Sequence, residues 1–227
     1  MGPAATMDFA AKVVAATPAE RDADHIPMLI ASSPQIPDRS DAIVGAGPSP
    51  LPALRRCLDM LLAANADCIV LPCNTAHFWY DELAFISPAP ILHIVDAALD
   101  VAGAGVLGLI ATTGTLKARV YQSRAPDRHF VEPPVDVQER VVMPAIRKVK
   151  SGNLDEARDL LRQAAQVLQR SGSEQIVLGC TEAPLAWPHD APPSIDATSA
   201  LAHAVVRHFR SAPRPEEAED RATRVEA

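Results

Sequence analysis

Cys68-Ile69-Val70-Leu71-Pro72-Cys73-Asn74-Thr75 and Gln175-Ile176-Val177-Leu178-Gly179-Cys180-Thr181-Glu182 follow one local pattern. Each reads Ile-Val-Leu, a spacer, a cysteine and a polar pair. The apolar run has strand length and no polar alternation, as expected of a strand buried on both faces within a parallel sheet. Strand, thiol and helix start thus occur twice, with Cys180 lying 107 positions after Cys73. That interval suits two related α/β halves and is far longer than a solenoid period.

Working outward, further strand-length runs lie at 26–33, 91–95, 105–111 and 194–195. Amphipathic stretches of helix length lie at 3–16, 51–65, 76–86, 96–102, 115–124, 137–150, 153–170 and 197–210. The alternation predicts an α/β fold with open parallel sheets. Pro144 predicts a kink or break in the helix at 137–150. The expected division is a first half of 1–97 plus 194–210, a second half of 98–193, and a charged, solvated tail at 211–227. That tail carries three arginines and five acids.

The 227 residues are 48% apolar and 22% charged, which excludes a disordered chain. No apolar run approaches the roughly 18 residues that span a bilayer. Aromatic residues are only 4%, so the core is expected to be aliphatic. A net charge of −7 argues against nucleic acid or an anionic membrane as partner. Four cysteines in a chain of this length, with no secretory leader pattern, suggest reduced thiols and a cytoplasmic location.

In open α/β sheets ligands sit beyond the carboxyl ends of the strands, where Cys73 and Cys180 fall. A helix start there lowers a thiol's pKa and binds carboxylates, and Asn74, Thr75 and Thr181 add small polar groups. Two equivalent thiols suit a two-base transfer, one taking a proton from carbon and the other returning one on the opposite face. A racemisation, whose substrate and product are mirror images, has that symmetry. Cys57 and Cys68 read instead as core fillers. Zinc is a rival, with His77 four residues after Cys73 and His189 beyond Cys180, but no Cys-x-x-Cys or His-x3-His spacing supports it. A Cys–His nucleophile pair, as in an amidase, leaves the second cysteine motif without a role.

Pro72-Cys73-Asn74-Thr75-Ala76-His77 and Gly179-Cys180-Thr181-Glu182 resemble the two signature motifs of the aspartate/glutamate racemase family, in particular its aspartate racemase branch. Met1-Gly2-Pro3-Ala4-Ala5-Thr6, Pro34-Gln35-Ile36-Pro37-Asp38-Arg39, Ala111-Thr112-Thr113-Gly114-Thr115 and Lys150-Ser151-Gly152-Asn153 match in order, so the resemblance covers roughly residues 1–210. It implies a cofactor-independent racemase of acidic amino acids. The implied fold is two similar doubly wound, flavodoxin-like domains with the site in the cleft between them, commonly paired as a homodimer. Cys73 and Cys180 become the paired acid and base. Asn74, Thr75 and Thr181 hold the α-carboxylate and α-amino groups, and Arg39 and Lys150 face the side-chain carboxylate. Gln35, Thr113 and Met1 are further pocket candidates, whereas His77, Trp79 and Tyr80 read as packing. No pyridoxal-lysine context appears, and Gly103-Ala104-Gly105 lacks a dinucleotide fingerprint, so no cofactor is expected.

Family members begin with a short strand and two glycines before the Met-Gly-Pro loop, where this sequence starts. The expectation is a first half-sheet short of one strand, less stable or less active than a chain extended by about ten apolar residues. One-thiol chemistry on a small diacid, or an inactive small-molecule binder, are the alternative functions.

Overall fold

The computed structural model describes residues 2–211; Met1 and the tail beyond residue 211 lie outside the described residues. Helix α1 (Pro3–Ala16) starts on a proline, whose missing N–H costs nothing in a first turn, and buries Ala5, Phe9 and Val13 at fourfold spacing. Helix α2 (Arg39–Ile43) is capped by the Asp38 side chain, which accepts from the Ser40 and Asp41 N–H groups. Helix α3 (Leu51–Ala63) leads into strand β1 (Ile69–Val70), a 3₁₀ stretch at Asn74–Trp79 and helix α4 (Tyr80–Ile86). Strand β2 (Ile91–Leu92) pairs parallel with β1 and is followed by helix α5 (Ile94–Asp100).

The second half opens on strand β3 (Leu107–Ala111), helices α6 (Thr113–Lys117) and α7 (Val120–Arg124), strand β4 (Phe130–Val131) and a short α8 (Val135–Val137). A π-turn at Gln138–Val142 then runs into helix α9 (Met143–Lys150). The helix does not break at Pro144. The proline stands in the first turn of α9, and the wider π-turn before it takes up the irregularity. Helix α10 (Leu154–Arg170), strand β5 (Gln175–Gly179), strand β6 (Ser194–Asp196) and helix α11 (Ala197–Ser211) complete the described chain.

Strand order in the second sheet is β4-β3-β5-β6, all parallel. Side chains alternate across it as the pleat requires. Leu107, Leu109, Val177 and Ile195 join residues of α1, α5 and α11 in one core. Ile110, Ile176 and Leu178 face α9 and α10 on the other side. Helix α10 meets that face with Ala157, Leu161, Ala164, Ala165 and Leu168, a single helical stripe. β5 therefore lies between two apolar layers, as its unbroken Ile-Val-Leu run predicts.

Two expectations fail. Residues 26–33 form no strand, and Met28, Leu29 and Ile30 stand exposed. A strand exists only through a neighbour's row of hydrogen bonds, and among the described residues the first sheet contains only β1 and β2. The stretch 194–210, expected with the first half, is divided. β6 hydrogen-bonds to β5 in the second sheet, while α11 packs on α1 and α5. Asp196 joins these parts: it accepts from the Thr198 and Ser199 N–H groups at the start of α11 and pairs with Lys12 of α1 at 2.8 Å.

Candidate active site

Both repeated cysteines are buried and line one cavity of about 220 Å³ at the carboxyl ends of the strands. Asn74, Thr75, Thr181, Arg39 and Lys150, all selected from sequence, line the same space. A larger hollow of about 540 Å³, between Arg119, Arg128 and Glu132, holds neither thiol and none of these residues. Gln35 is a correction: it lies exposed in a turn and does not line the cavity. Thr113 is another. Its neighbour Thr112 lines the cavity, and Thr113 Oγ1 accepts from Gln138 Nε2 at 3.4 Å. Met1 lies outside the described residues.

The two thiols sit in different surroundings. Cys180 Sγ donates to Glu182 Oε2 at 3.1 Å, and Thr181 Oγ1 donates to the same oxygen at 3.2 Å. Burial first, and then the Glu182 charge, push the Cys180 thiol well above its ordinary range. The Glu182 N–H lowers it, as a donor beyond the strand end is expected to, but burial and the Glu182 charge outweigh that donor; a turn and a short 3₁₀ stretch at Ala183–Ala186 follow Cys180. A free Cys180 therefore rests protonated. Glu182 stands in the second motif two residues after the thiol, and nothing in a linear pattern shows that its carboxylate folds back onto the sulfur. Cys57 and Cys68 are half-buried, and burial, with Asp67 second, raises Cys68 to about 11.

Donors surround the cavity. Asn74 Oδ1 accepts from the Tyr121 hydroxyl at 2.7 Å, which leaves its buried Nδ2 without a partner among the described residues. Thr75 Oγ1 lies 2.9 Å from both Thr112 Oγ1 and Thr115 Oγ1, and these two are 3.0 Å apart. Three hydroxyls closing a ring can use one proton per edge, so any donation to a ligand opens that ring. Arg39 Nη1 donates to the Ile36 and Pro37 carbonyls, which anchors the guanidinium, and its buried Nε is unpartnered. Asp38 adjoins it. Burial would raise its carboxyl, but the Asp41 N–H and the Arg39 and Lys150 charges outweigh this and hold it below its ordinary value. Lys150 is exposed at the rim.

The close approach of α2 to α6 places Arg39. A Cβ on Gly114 would stand 2.6 Å from the Ser40 Cα, an atom that cannot swing aside. Gly114→Ala is expected to displace α2 and its neighbour Arg39, lowering kcat/KM for an acidic amino acid by roughly 10- to 100-fold, since about 1 Å of misplacement costs that much. Steady-state kinetics beside a thermal melt separates this from unfolding; an unchanged kcat/KM contradicts it.

His77, read from sequence as packing, ties the first motif to α5. Its Nδ1 donates to the Cys73 carbonyl at 2.9 Å, and its Nε2 accepts from the Ile94 N–H at 3.1 Å. His93 accepts from the Val95 N–H and stands edge-on to His77, with ring centroids 4.5 Å apart. Burial lowers His77 to about 4, and burial together with the neighbouring His77 lowers His93 to about 3. Both fold neutral, whereas the unfolded chain takes up protons below about 6.5. Their contribution is complete above that pH and is lost as pH falls from 6.5 toward 4 for His77 and toward 3 for His93, with His77 accounting for about 3 kcal/mol. Urea midpoints at pH 7 and pH 5 are expected to show the decline, and His77→Gln to flatten it. A midpoint independent of pH across this window contradicts the assignment.

Among the described residues no group of three or more His, Cys, Asp or Glu is placed to hold a metal ion, and no helix is long and apolar enough to cross a membrane. The profile of the family described as Asp/Glu/Hydantoin racemase matches residues 1–205. An uncharacterised protein of Pectobacterium carotovorum is 34% identical over 139 residues, covering 58% of this chain and 93% of that one. Glutamate racemase of Deinococcus radiodurans is 33% identical over 136 residues, or 57% of this chain and 46% of its own length. The match thus spans about half the length of the curated glutamate racemases. Among solved structures, Picrophilus torridus aspartate racemase superposes with a TM-score of 0.82 at 29% identity, covering 95% of this chain and 94% of that one. A putative Asp/Glu racemase from Yersinia pestis shares the fold, with a TM-score of 0.74 at 22% identity and coverage of 92% and 97%. With a matching profile along nearly its whole length and a matching two-part α/β architecture, the chain belongs to the Asp/Glu/Hydantoin racemase family.

Proposed function

We propose that this protein racemises an acidic amino acid, aspartate or glutamate, without a cofactor, using Cys73 and Cys180 as paired acid and base. The observation that carries the reading is the burial of both repeated thiols in one small cavity that Arg39 also lines. One cysteine, as thiolate, forms an S–H bond to the Cα proton while the C–H electron pair passes into the α-carboxylate as an enolate. The other cysteine gives its S–H proton to the opposite face of Cα and is left as thiolate. The pair thus holds one proton before and after turnover, displaced from one sulfur to the other.

The Cα proton of an amino acid is a very weak acid. Buried Asn74 donates from Nδ2 to the α-carboxylate in substrate and transition state alike, and the Thr75 and Thr181 hydroxyls turn toward the charge that develops there. Arg39 grips the side-chain carboxylate, with Lys150 adding a point charge at the rim. When Cys180 must act as base, Glu182 is the acceptor already hydrogen-bonded to its proton. The resemblance to the family also supports a cytoplasmic homodimer, and light scattering after gel filtration reads its mass.

The test is incubation with L-aspartate, and separately L-glutamate, in D₂O. Deuterium at Cα together with the D-enantiomer is expected for at least one of them. A folded protein that exchanges neither overturns the proposal.

A further inference from the structure

We propose that Tyr121 is a positioning residue that sets the Asn74 amide and spaces the two cysteine motifs. This rests on the racemase reading of the cavity. Tyr121 is wholly buried, and its hydroxyl donates to Asn74 Oδ1 at 2.7 Å across 47 positions of sequence. An amide presents an acceptor on one side and donors on the other, so satisfying Oδ1 from Tyr121 turns Nδ2 away from the ring. That nitrogen is buried and without a partner among the described residues, and Asn74 lines the cavity. An unpaired buried donor is costly in the empty protein and gains its bond when an anionic group binds. The amide is thus held ready for a carboxylate.

The same ring touches the second motif. A Cβ on Gly179, the residue before Cys180, would lie 3.1 Å from Tyr121 Cε2 and 3.4 Å from its hydroxyl oxygen. A side chain here would press the ring back by a few tenths of an ångström. One side chain from α7 therefore contacts the residue after Cys73 and the residue before Cys180. Without the hydroxyl, Asn74 Oδ1 loses its donor and the amide is free to turn its oxygen toward the substrate carboxylate, a repulsive orientation.

Tyr121→Phe keeps the ring and its spacing of the motifs while removing the bond. It is expected to raise KM for the preferred acidic amino acid about tenfold with kcat changed less than about twofold, since Asn74 holds substrate and transition state alike. Asn74→Ala is expected to raise KM at least as much. The double variant Tyr121→Phe/Asn74→Ala is expected to match Asn74→Ala alone, because Tyr121 acts through that amide. A merely structural role would lower the melting temperature and multiply the two effects. Wild-type turnover with an unchanged Tyr121→Phe KM, or multiplying effects, overturns this inference alone. A folded wild-type protein with no exchange overturns the racemase reading and this inference with it.

Discussion

Cys73→Ser and Cys180→Ser are each expected to lose racemisation of the acidic substrate by about 10²- to 10⁴-fold, the range a positioned acid or base contributes. Serine keeps the size but not an acidity near the working pH, so one face of Cα loses its proton carrier. The surviving cysteine still serves the enantiomer whose proton points at it. It removes that proton, exchanges with solvent and returns a deuteron to the same face. Each variant should therefore wash deuterium into one enantiomer with retention, and the two variants should select opposite enantiomers. Proton NMR of L- and D-aspartate incubated separately in D₂O reads both. Full two-way activity in either variant, or the same enantiomer labelled by both, contradicts the two-base assignment and favours one-thiol chemistry on a small diacid.

Arg39→Ala is the second large effect. The guanidinium is already anchored through Nη1 to the Ile36 and Pro37 carbonyls, so little entropy remains to be lost when a carboxylate docks. Two charged hydrogen bonds, each worth about 1.5–3 kcal/mol, correspond to roughly a 10²- to 10⁴-fold fall in kcat/KM. Arg39→Lys is expected to recover less than about a tenth of the lost activity, because an ammonium does not match the two oxygens as a fork. Lys150→Ala should cost less, about tenfold or below, since Lys150 is exposed and water screens it. Arg39→Ala kinetics within threefold of wild type would remove the side-chain carboxylate from this part of the cavity.

Much of this architecture could be read from the chain because the relevant signals are local. The Ile-Val-Leu run of β5 and the apolar stripe of α10 carry their burial in their own periodicity. The repeated strand-end thiols could be located because the duplication marks them. Other features depend on the fold. Residues 26–33 have strand composition, but pairing belongs to two segments and not to one. Thr112 and Thr113 are chemically alike, and only the position of the α6 N-cap decides which hydroxyl lines the cavity. Gln35 sits in a turn one residue before buried Ile36, and an exposed turn position has no linear signature. Tyr121 and Glu182 carry no linear mark of a site role for the same reason: each acts through a contact made when the chain folds back.

The clamp made by His77 has a kinetic consequence. Both ring nitrogens are committed, one to the Cys73 carbonyl and one to the Ile94 N–H. An imidazole four residues from a reactive sulfur is the usual proton shuttle at neutral pH, yet here it has no free lone pair and no mobile hydrogen. The fold uses it as a fastener and so withholds an imidazole from the proton exchange of the thiols. The pH dependence of turnover should accordingly reflect sulfur and carboxylate alone, with no imidazole inflection near pH 6.5.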